Sequence, residues 1–197
     1  MPELVLASGS PRRSALLAQI SVPHRVHVPD VDESVLPGES PEDYVTRVSG
    51  AKMVSSRAAL GNAADMVILC ADTIVELDGE ILGKPVDERH GLAMLDALSG
   101  RVHRVMTAVT IGNADREETF VVLTEVQFRT LDADECRRYW QTGEPVDKAG
   151  GYGAQGIGAI FVDRIVGSYS NVVGLPLTET ALVLRRFGID CLAAETE

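Results

Sequence analysis

The chain has little cysteine and no long apolar run, and each shortage argues against a class of protein. Its three cysteines are far apart and form no C-x-x-C pair, so neither a disulfide framework nor a zinc site is expected. The longest apolar run, MVILCA, is far too short to span a bilayer. The amino terminus also lacks the basic region of a signal peptide. We therefore expect a protein of the reducing cytoplasm, with no membrane partner.

Basic residues are also in short supply, with 18 Lys and Arg against 29 Asp and Glu, for a net charge of −11. This balance argues against nonspecific binding to nucleic acid or to an anionic membrane, because both need a broad basic surface. A small anionic ligand remains compatible, since a few local cations can outweigh a distant acidic surface. The P-loop and the G-x-S-x-G motif are both missing.

Runs rich in β-branched residues alternate with helical patterns, which indicates an α/β fold. The expected strands are ELVLA, HRVHV, MVILCA, HRVMTAVTI, TFVVLTEVQFRTL and AIFVDRIVG. Helices are predicted to start at Ser10, Ser40, Asp87 and Asp132, and a last helix is predicted from about Thr178 to Phe187. The chain shows no repeat and no linker, so we expect a single domain over residues 1–197.

The first motif with chemical meaning is LASGSPRRSALL, a strand followed by a glycine turn and a helix start. Free backbone N–H groups and the helix dipole make such a turn a cradle for an anion. Ser8 and Ser10 add hydroxyl donors, and Arg12 and Arg13 add planar forks suited to phosphate oxygens. The alternative interpretation is a capped helix that carries two solvated arginines.

The second motif is CADTIVELDGEILGKP, in which Asp72 and Thr73 follow a buried strand. We expect the strand to end there, which would place Asp72 at the sheet rim, where ligands bind in open α/β folds. A carboxylate at that place can hold Mg²⁺ or orient a water as general base. The LDGE turn would fold the chain back and bring Lys84 near Asp72. The alternative is a turn aspartate and a surface lysine.

Two further segments complete the set of candidate residues. Glu33 lies in an acidic loop, and Lys52 lies on the inward stripe of the second helix; this spacing favours a snorkelling lysine over one that reaches a ligand. The segment from Gly150 to Gly167 is dense in glycine, which suits close backbone approach to a flat ligand. Within it, Gln155 carries both a donor and an acceptor and can read the edge of a base. The alternative is a mobile surface loop, although the apolar residues that follow suggest a tucked-in segment.

Together these stretches, with LSGRVHRVMTAV between them, resemble the Maf family of nucleoside triphosphate pyrophosphatases in family order from about residue 4 to 187. The resemblance implies a mixed, twisted sheet with flanking helices, in two lobes around a central cleft, similar to the inosine triphosphatases. It also implies hydrolysis of a nucleoside triphosphate between the α and β phosphates, a divalent cation (Mg²⁺ or Mn²⁺) and a cytoplasmic homodimer.

The resemblance also assigns roles to the candidate residues. It implies catalytic roles for Asp72, Glu33, Lys52 and Lys84, metal binding by Glu33 and Asp72, and substrate binding by Ser8, Ser10, Arg12, Arg13, Thr73 and Gln155. A glutamine at position 155 is similar to the subgroup that acts on dTTP and UTP, with CTP and modified pyrimidine nucleotides as further expected substrates. The alternatives are hydrolysis of 7-methyl-GTP and a nucleotide-binding regulator of septum formation.

Overall fold

The computed structural model describes residues 2–61 and 65–192, and within these ranges seven strands form one sheet that is flanked by six α-helices. The strands are β1 (Glu3–Ala7), β2 (His24–His27), β3 (Met66–Leu77), β4 (Glu80–Leu82), β5 (Val102–Gly112), β6 (Glu117–Phe128) and β7 (Val162–Val166). The helices are α1 (Pro11–Gln19), α2 (Pro41–Leu60), α3 (Glu88–Leu98), α4 (Ala133–Gln141), α5 (Tyr169–Val173) and α6 (Leu177–Arg186). The expected α/β class is confirmed.

The sheet is mixed, with the strand order β2-β1-β3-β5-β6-β7 and with β4 paired to β3. Strand β1 runs parallel to both β2 and β3, whereas β3 with β4 and β6 with β7 are antiparallel pairs. The parallel register pairs Ala7 with Cys70. The turn that follows β1 therefore runs beside the residues that follow Cys70, which brings two of the predicted motifs to one place.

The helix starts lie where the capping residues predict them. Ser40 accepts a hydrogen bond from the backbone of Asp43 at the start of α2, and Asp87 accepts one from His90 at the start of α3. Asp132 begins α4 with a reciprocal capping box that includes Glu135. Ser10 is the residue before α1 as expected, but its side chain makes no capping hydrogen bond.

Strand β3 departs from the prediction, because it continues through Asp72 to Leu77 instead of ending there. The β-branched residues that follow Asp72 extend the strand, and its far end pairs with β4. The predicted hairpin is present, with positive φ at Asp78 (54°) and Gly79 (88°), as a two-residue type I′ turn requires. Asp72 thus lies within a strand and not at its end.

Contacts between residues divide the chain into two compact units. The first comprises Met1–Asp72, Thr107–Val121 and Gly174–Glu197, and the second comprises Thr73–Met106 and Val122–Val173. The first unit has a buried cluster that includes Val5, Met53 and Ile68. The second has a larger cluster, in which edge-to-face contacts join several aromatic rings, among them Phe128 and Phe161. In the described part of the chain, no helix has both the length and the apolar character needed to cross a membrane.

Candidate functional site

Lys52 joins the two predicted acidic residues in the first unit. Its Nζ lies 2.7 Å from Glu33 Oε1 and 2.7 Å from Asp72 Oδ1. Lys52 and Asp72 are both buried, whereas the side chain of Glu33 is 45% exposed. The expected snorkelling of Lys52 is wrong, because two carboxylates replace water around the buried ammonium. The helical spacing placed the side chain on the inward face, as observed.

The loop that carries Glu33 is held to helix α2 by hydrogen bonds. The hydroxyl of Tyr44 donates to the backbone oxygen of Glu33 (2.8 Å), and Arg47 donates to the backbone oxygen of Ser34 (2.9 Å). Burial raises the pKa of Tyr44 to about 12, and the nearby carboxylates of Asp72 and Glu33 add to this rise. Sequence reasoning missed Tyr44 and Arg47 as positioning residues. The available signal was a pair of long hydrogen-bonding side chains one turn apart on α2.

The serine-arginine turn between β1 and α1 forms a bonded unit around Ser8. The Oγ of Ser8 accepts hydrogen bonds from the backbone N–H of Ser10 (3.2 Å) and from Nη1 of Arg13 (2.9 Å). Arg13 also donates from Nε to the backbone oxygen of Gly174 (2.9 Å) and is buried. The interpretation as a solvated arginine is therefore wrong for Arg13, whereas Arg12 is partly exposed. The buried Arg13 thus links this turn to the backbone at Gly174.

Electrostatics link Arg13 to the acidic pair. Burial lowers the pKa of Arg13, and the carboxylates of Asp72 and Glu33 act in the opposite direction. The first unit thus brings together seven of the predicted residues, which are Ser8, Ser10, Arg12, Arg13, Glu33, Lys52 and Asp72. This cluster combines a helix N-terminus, cationic groups and two carboxylates, a combination suited to holding a phosphate chain next to a general base.

The other three predicted residues belong to the second unit. Thr73 is half-buried on β3, and Lys84 is exposed just beyond β4. Gln155 is exposed in a turn between two short 3-10 helices, Ala149–Gly151 and Ile157–Phe161. Tyr152 and Phe161, on either side of Gln155, are buried, whereas Ile157 and Ile160 are exposed, so the expected tucked-in segment is only partly present.

The chemistry of the acidic pair fits a divalent cation. Oxygens of Glu33 and Asp72 converge on one point, where the ammonium of Lys52 balances their charge. One or two carboxylates with substrate phosphates make a common Mg²⁺ site in nucleotide enzymes. No group of three or more His, Cys, Asp or Glu side chains in the described ranges could hold a metal ion.

Comparison with known proteins identifies the family. Residues 3–187 match the family described as Maf-like protein. The chain belongs to the Maf family. The match covers almost the whole chain, so it includes most of the first unit, all of the second and every candidate residue named above.

Several relatives of similar sequence are named dTTP/UTP pyrophosphatase. The one from Hahella chejuensis is 48% identical over 186 residues, which are 94% of this chain and 92% of the relative. The one from Pseudoalteromonas translucida is 50% identical over 182 residues, which are 92% of this chain and 95% of the relative. A solved structure, that of the Staphylococcus aureus Ham1 protein, aligns with a TM-score of 0.53 over 94% of this chain and 97% of that one. At 16% identity, this likeness shows the fold alone.

Proposed function

We propose that this Maf-family protein hydrolyses dTTP and UTP to the nucleoside monophosphate and pyrophosphate. One observation carries the proposal: the buried Lys52 is shared by Glu33 and Asp72 beside a serine-arginine turn. The chain in which this occurs is 48–50% identical to proteins named dTTP/UTP pyrophosphatase over more than nine-tenths of its length.

The turn before α1 would receive the phosphates. A nucleoside triphosphate brings about four negative charges, which need concentrated positive potential. The N-terminus of α1, the Ser10 hydroxyl and the partly exposed Arg12 supply donors and charge there. Arg13 fixes the conformation of the turn through its hydrogen bond to Ser8, and it adds a positive charge to the site. We also assign Lys84 to the phosphate chain, as the resemblance to the family implies.

Asp72 would act as the general base. It takes a proton from a water molecule whose oxygen attacks the α-phosphorus. The bond from that phosphorus to the bridging oxygen breaks, and pyrophosphate leaves with the bond's electron pair. Lys52, 2.7 Å from the Asp72 carboxylate, orients that carboxylate for the proton transfer.

Glu33 and Asp72 are the residues that would hold a divalent cation, Mg²⁺ or Mn²⁺. When bound, such a cation supplies charge neutralisation at the phosphate oxygens. Tyr44 and Arg47 keep Glu33 in place for this role, because they bind its loop to α2.

Base selection would rest on Gln155, with Thr73 and Arg12. An amide offers one donor and one acceptor, which match the neutral edge of thymine or uracil. Cytosine and modified pyrimidines such as 5-methyl forms are weaker candidates for the same amide. A carboxylate would suit the cationic ring of 7-methylguanine, and position 155 carries none.

A nucleotide panel tests the proposal. We would incubate the protein and Mg²⁺ with dTTP, UTP, CTP, GTP, ATP or 7-methyl-GTP and measure pyrophosphate and phosphate separately. Pyrophosphate from dTTP and UTP, abolished by EDTA and restored by Mg²⁺ or Mn²⁺, is the expected result. Pyrophosphate from 7-methyl-GTP alone would keep the chemistry and refute the role of Gln155. Nucleotide binding without any release would favour the regulatory alternative. Light scattering on the same sample tests for the homodimer.

A further inference from the structure

Two side chains, those of Glu144 and Tyr139, form hydrogen bonds with the turn that carries Gln155. Gln155 lies between Gly153 and Gly156, and the N–H of Gly156 donates to the oxygen of Gly153 (3.2 Å). The side chain of Gln155 is exposed, so the position of its amide depends on the backbone of this turn. A turn with this many glycines has little stiffness of its own. Its position must come from its contacts.

Glu144 supplies contacts at the far end of the turn. Its Oε2 accepts a hydrogen bond from the N–H of Ile157 (2.8 Å), and its Oε1 accepts one from the N–H of Gly158 (3.0 Å). Its Oε1 also accepts from the hydroxyl of Tyr139 (2.8 Å). That same hydroxyl accepts from the N–H of Gly153, at the near end (3.0 Å). One carboxylate and one phenol thus bind the turn on both sides of Gln155.

The charge state of Glu144 suits this task. Burial by itself would raise the pKa of Glu144, but the N–H groups of Gly158 and Ile157, the Tyr139 hydroxyl and Lys148 together hold it below its ordinary value. Burial and the bond to Glu144 raise the pKa of Tyr139. Glu144 is therefore an ionised acceptor and Tyr139 a neutral donor at neutral pH, so each hydrogen bond has its required polarity.

The glycines of the turn are needed for contact with this pair. A Cβ at position 156 would lie 2.3 Å from Glu144 Oε2, and one at position 158 would lie 2.6 Å from Tyr139 Oη. A Cβ at position 153 would lie 2.9 Å from Glu144 Oε1. The sequence predicts that these glycines let the backbone approach a flat ligand closely. Within the second unit, the glycine backbone instead lies close to Glu144 and Tyr139.

We propose that Glu144 and Tyr139 are positioning residues for nucleobase selection, and that they act by fixing the turn that presents the Gln155 amide. The proposal rests on the proposed function, because it assumes that Gln155 reads the base. Tyr139 is anchored in the core of its unit, with its ring edge-to-face against Phe161 at 4.9 Å. The turn is thereby tied to a rigid part of the fold.

The first variants are Glu144→Gln and Tyr139→Phe. Glu144→Gln keeps the shape but turns an NH₂ group towards one of the N–H donors of the turn. Tyr139→Phe removes the link to Gly153 and leaves the bonds from Ile157 and Gly158 in place, so it remains informative if Glu144→Gln does not fold. For each, we expect kcat/KM for dTTP to fall about tenfold and kcat/KM for GTP to change less than about twofold.

A double-mutant cycle with Gln155→Ala separates positioning from general damage. If Glu144 acts through Gln155, then adding Glu144→Gln to Gln155→Ala should lower kcat/KM for dTTP by less than about twofold. Full additivity would overturn the proposal, as would an equal loss for dTTP and GTP in the single variants. Unchanged dTTP/GTP selectivity in Gln155→Ala would overturn it too.

Glu135→Gln is the matched control. Glu135 also accepts several hydrogen bonds, from Arg129 and from the backbone of Asp132, but it caps α4 and has no bond to the turn. It should lower the melting temperature and leave the dTTP/GTP ratio unchanged. A wild-type protein that releases no pyrophosphate from dTTP or UTP would instead refute the proposed function, so the two failures are distinct.

Discussion

Lys52 shows how one side chain organises the candidate site. Taking an ammonium out of water costs several kcal/mol unless partners of opposite charge replace the water. Glu33 and Asp72, each at 2.7 Å, provide that compensation and are in turn kept apart from each other by a positive charge. The proposed general base, Asp72, is thus in direct contact with the lysine that balances its charge.

Asp72→Asn is the most direct test of this arrangement. Asparagine keeps the shape of the side chain and a contact with Lys52, but it cannot accept the proton of the attacking water. We expect kcat for dTTP to fall by about 100-fold or more, the usual scale for the loss of a general base. The dissociation constant for dTTP should stay within about threefold. Single-turnover pyrophosphate release and calorimetric titration measure the two quantities.

Asp65→Asn is the control for this experiment. Asp65 is exposed just before β3, so the same chemical change there should leave both quantities as in the wild type. Full activity of Asp72→Asn would refute the role as general base. Loss of dTTP binding would instead make Asp72 chiefly a ligand of the substrate or its metal.

At the scale of residues, the sequence predicts where a side chain lies in its own element better than it predicts the partners of that side chain. Helical spacing placed Lys52 on the inward face of α2, but its partners come from a loop and from β3, and no local pattern encodes such distant contacts. Arg13 is a similar case, because its acceptor at Gly174 belongs to the segment before α6. A buried charge depends on long-range packing, which only the folded chain reveals.

At the scale of elements, the predictions succeed where the cause is local. Asp87 and Asp132 cap α3 and α4 as their spacing predicts, because a capping bond joins residues only two or three apart. The end of β3 was predicted wrongly, since its length depends on pairing with β4. Helix α5, with five residues, has too few turns to show a period, and the sequence did not reveal it.

Gly91→Ala tests the packing of α3 against α4. A Cβ at this position would lie 2.2 Å from Cζ3 and 2.6 Å from Cε3 of Trp140, a rigid ring on α4. Alanine is normally favoured over glycine in a helix, but here the ring must move. We expect the free energy of unfolding to fall by about 1–3 kcal/mol, the usual cost of overpacking a core. Urea denaturation followed by circular dichroism measures it.

Gly50→Ala provides a control with the opposite sign. Gly50 lies in helix α2, and nothing lies within 4 Å of a Cβ built there. Replacing a helical glycine with alanine in open space should raise the free energy of unfolding by about 0.5–1 kcal/mol. If Gly91→Ala raises the free energy of unfolding as Gly50→Ala should, the contact between Gly91 and Trp140 does not control the packing of these helices.

For the whole molecule, the sequence predicts an acidic protein that binds an anion, and the structure supports the physical basis for this. The net charge of −11 is spread over the chain, whereas Arg12, Arg13 and Lys52 lie close to one turn in the first unit. Local potential at a site depends on near charges far more than on distant, screened ones. The division into two units, each with its own core, depends on contacts distant in the chain and is not visible in any local pattern.

The stability of the molecule should depend on pH through His103. This residue is 1% exposed in the core of the second unit, and its Nε2 lies 2.7 Å from the hydroxyl of Tyr152. Burial lowers its pKa from 6.5 to about 4, against a smaller opposite effect of Glu76. The folded state therefore keeps His103 neutral at pH values where the unfolded chain already binds a proton.

The sign of the effect follows from proton binding. Between pH 6.5 and 4 the unfolded chain holds one more proton at this residue, so acidification favours unfolding. His103 should remove about 1.4 kcal/mol per pH unit in this window, and about 3 kcal/mol over all of it. His103→Gln retains a polar group for Tyr152 but does not titrate, so its unfolding free energy should fall less steeply with pH. Urea denaturation, followed by fluorescence of the single tryptophan, Trp140, reports on this unit.

His90→Gln is the control for the substitution itself, because His90 is an exposed histidine of the same unit. Carboxylates such as Glu135 also titrate as the pH falls, but they contribute equally to all three proteins. The difference between wild type and His103→Gln therefore isolates one proton. If the two proteins lose stability in parallel from pH 6.5 to 4, His103 binds its proton in the folded state as readily as in the unfolded one.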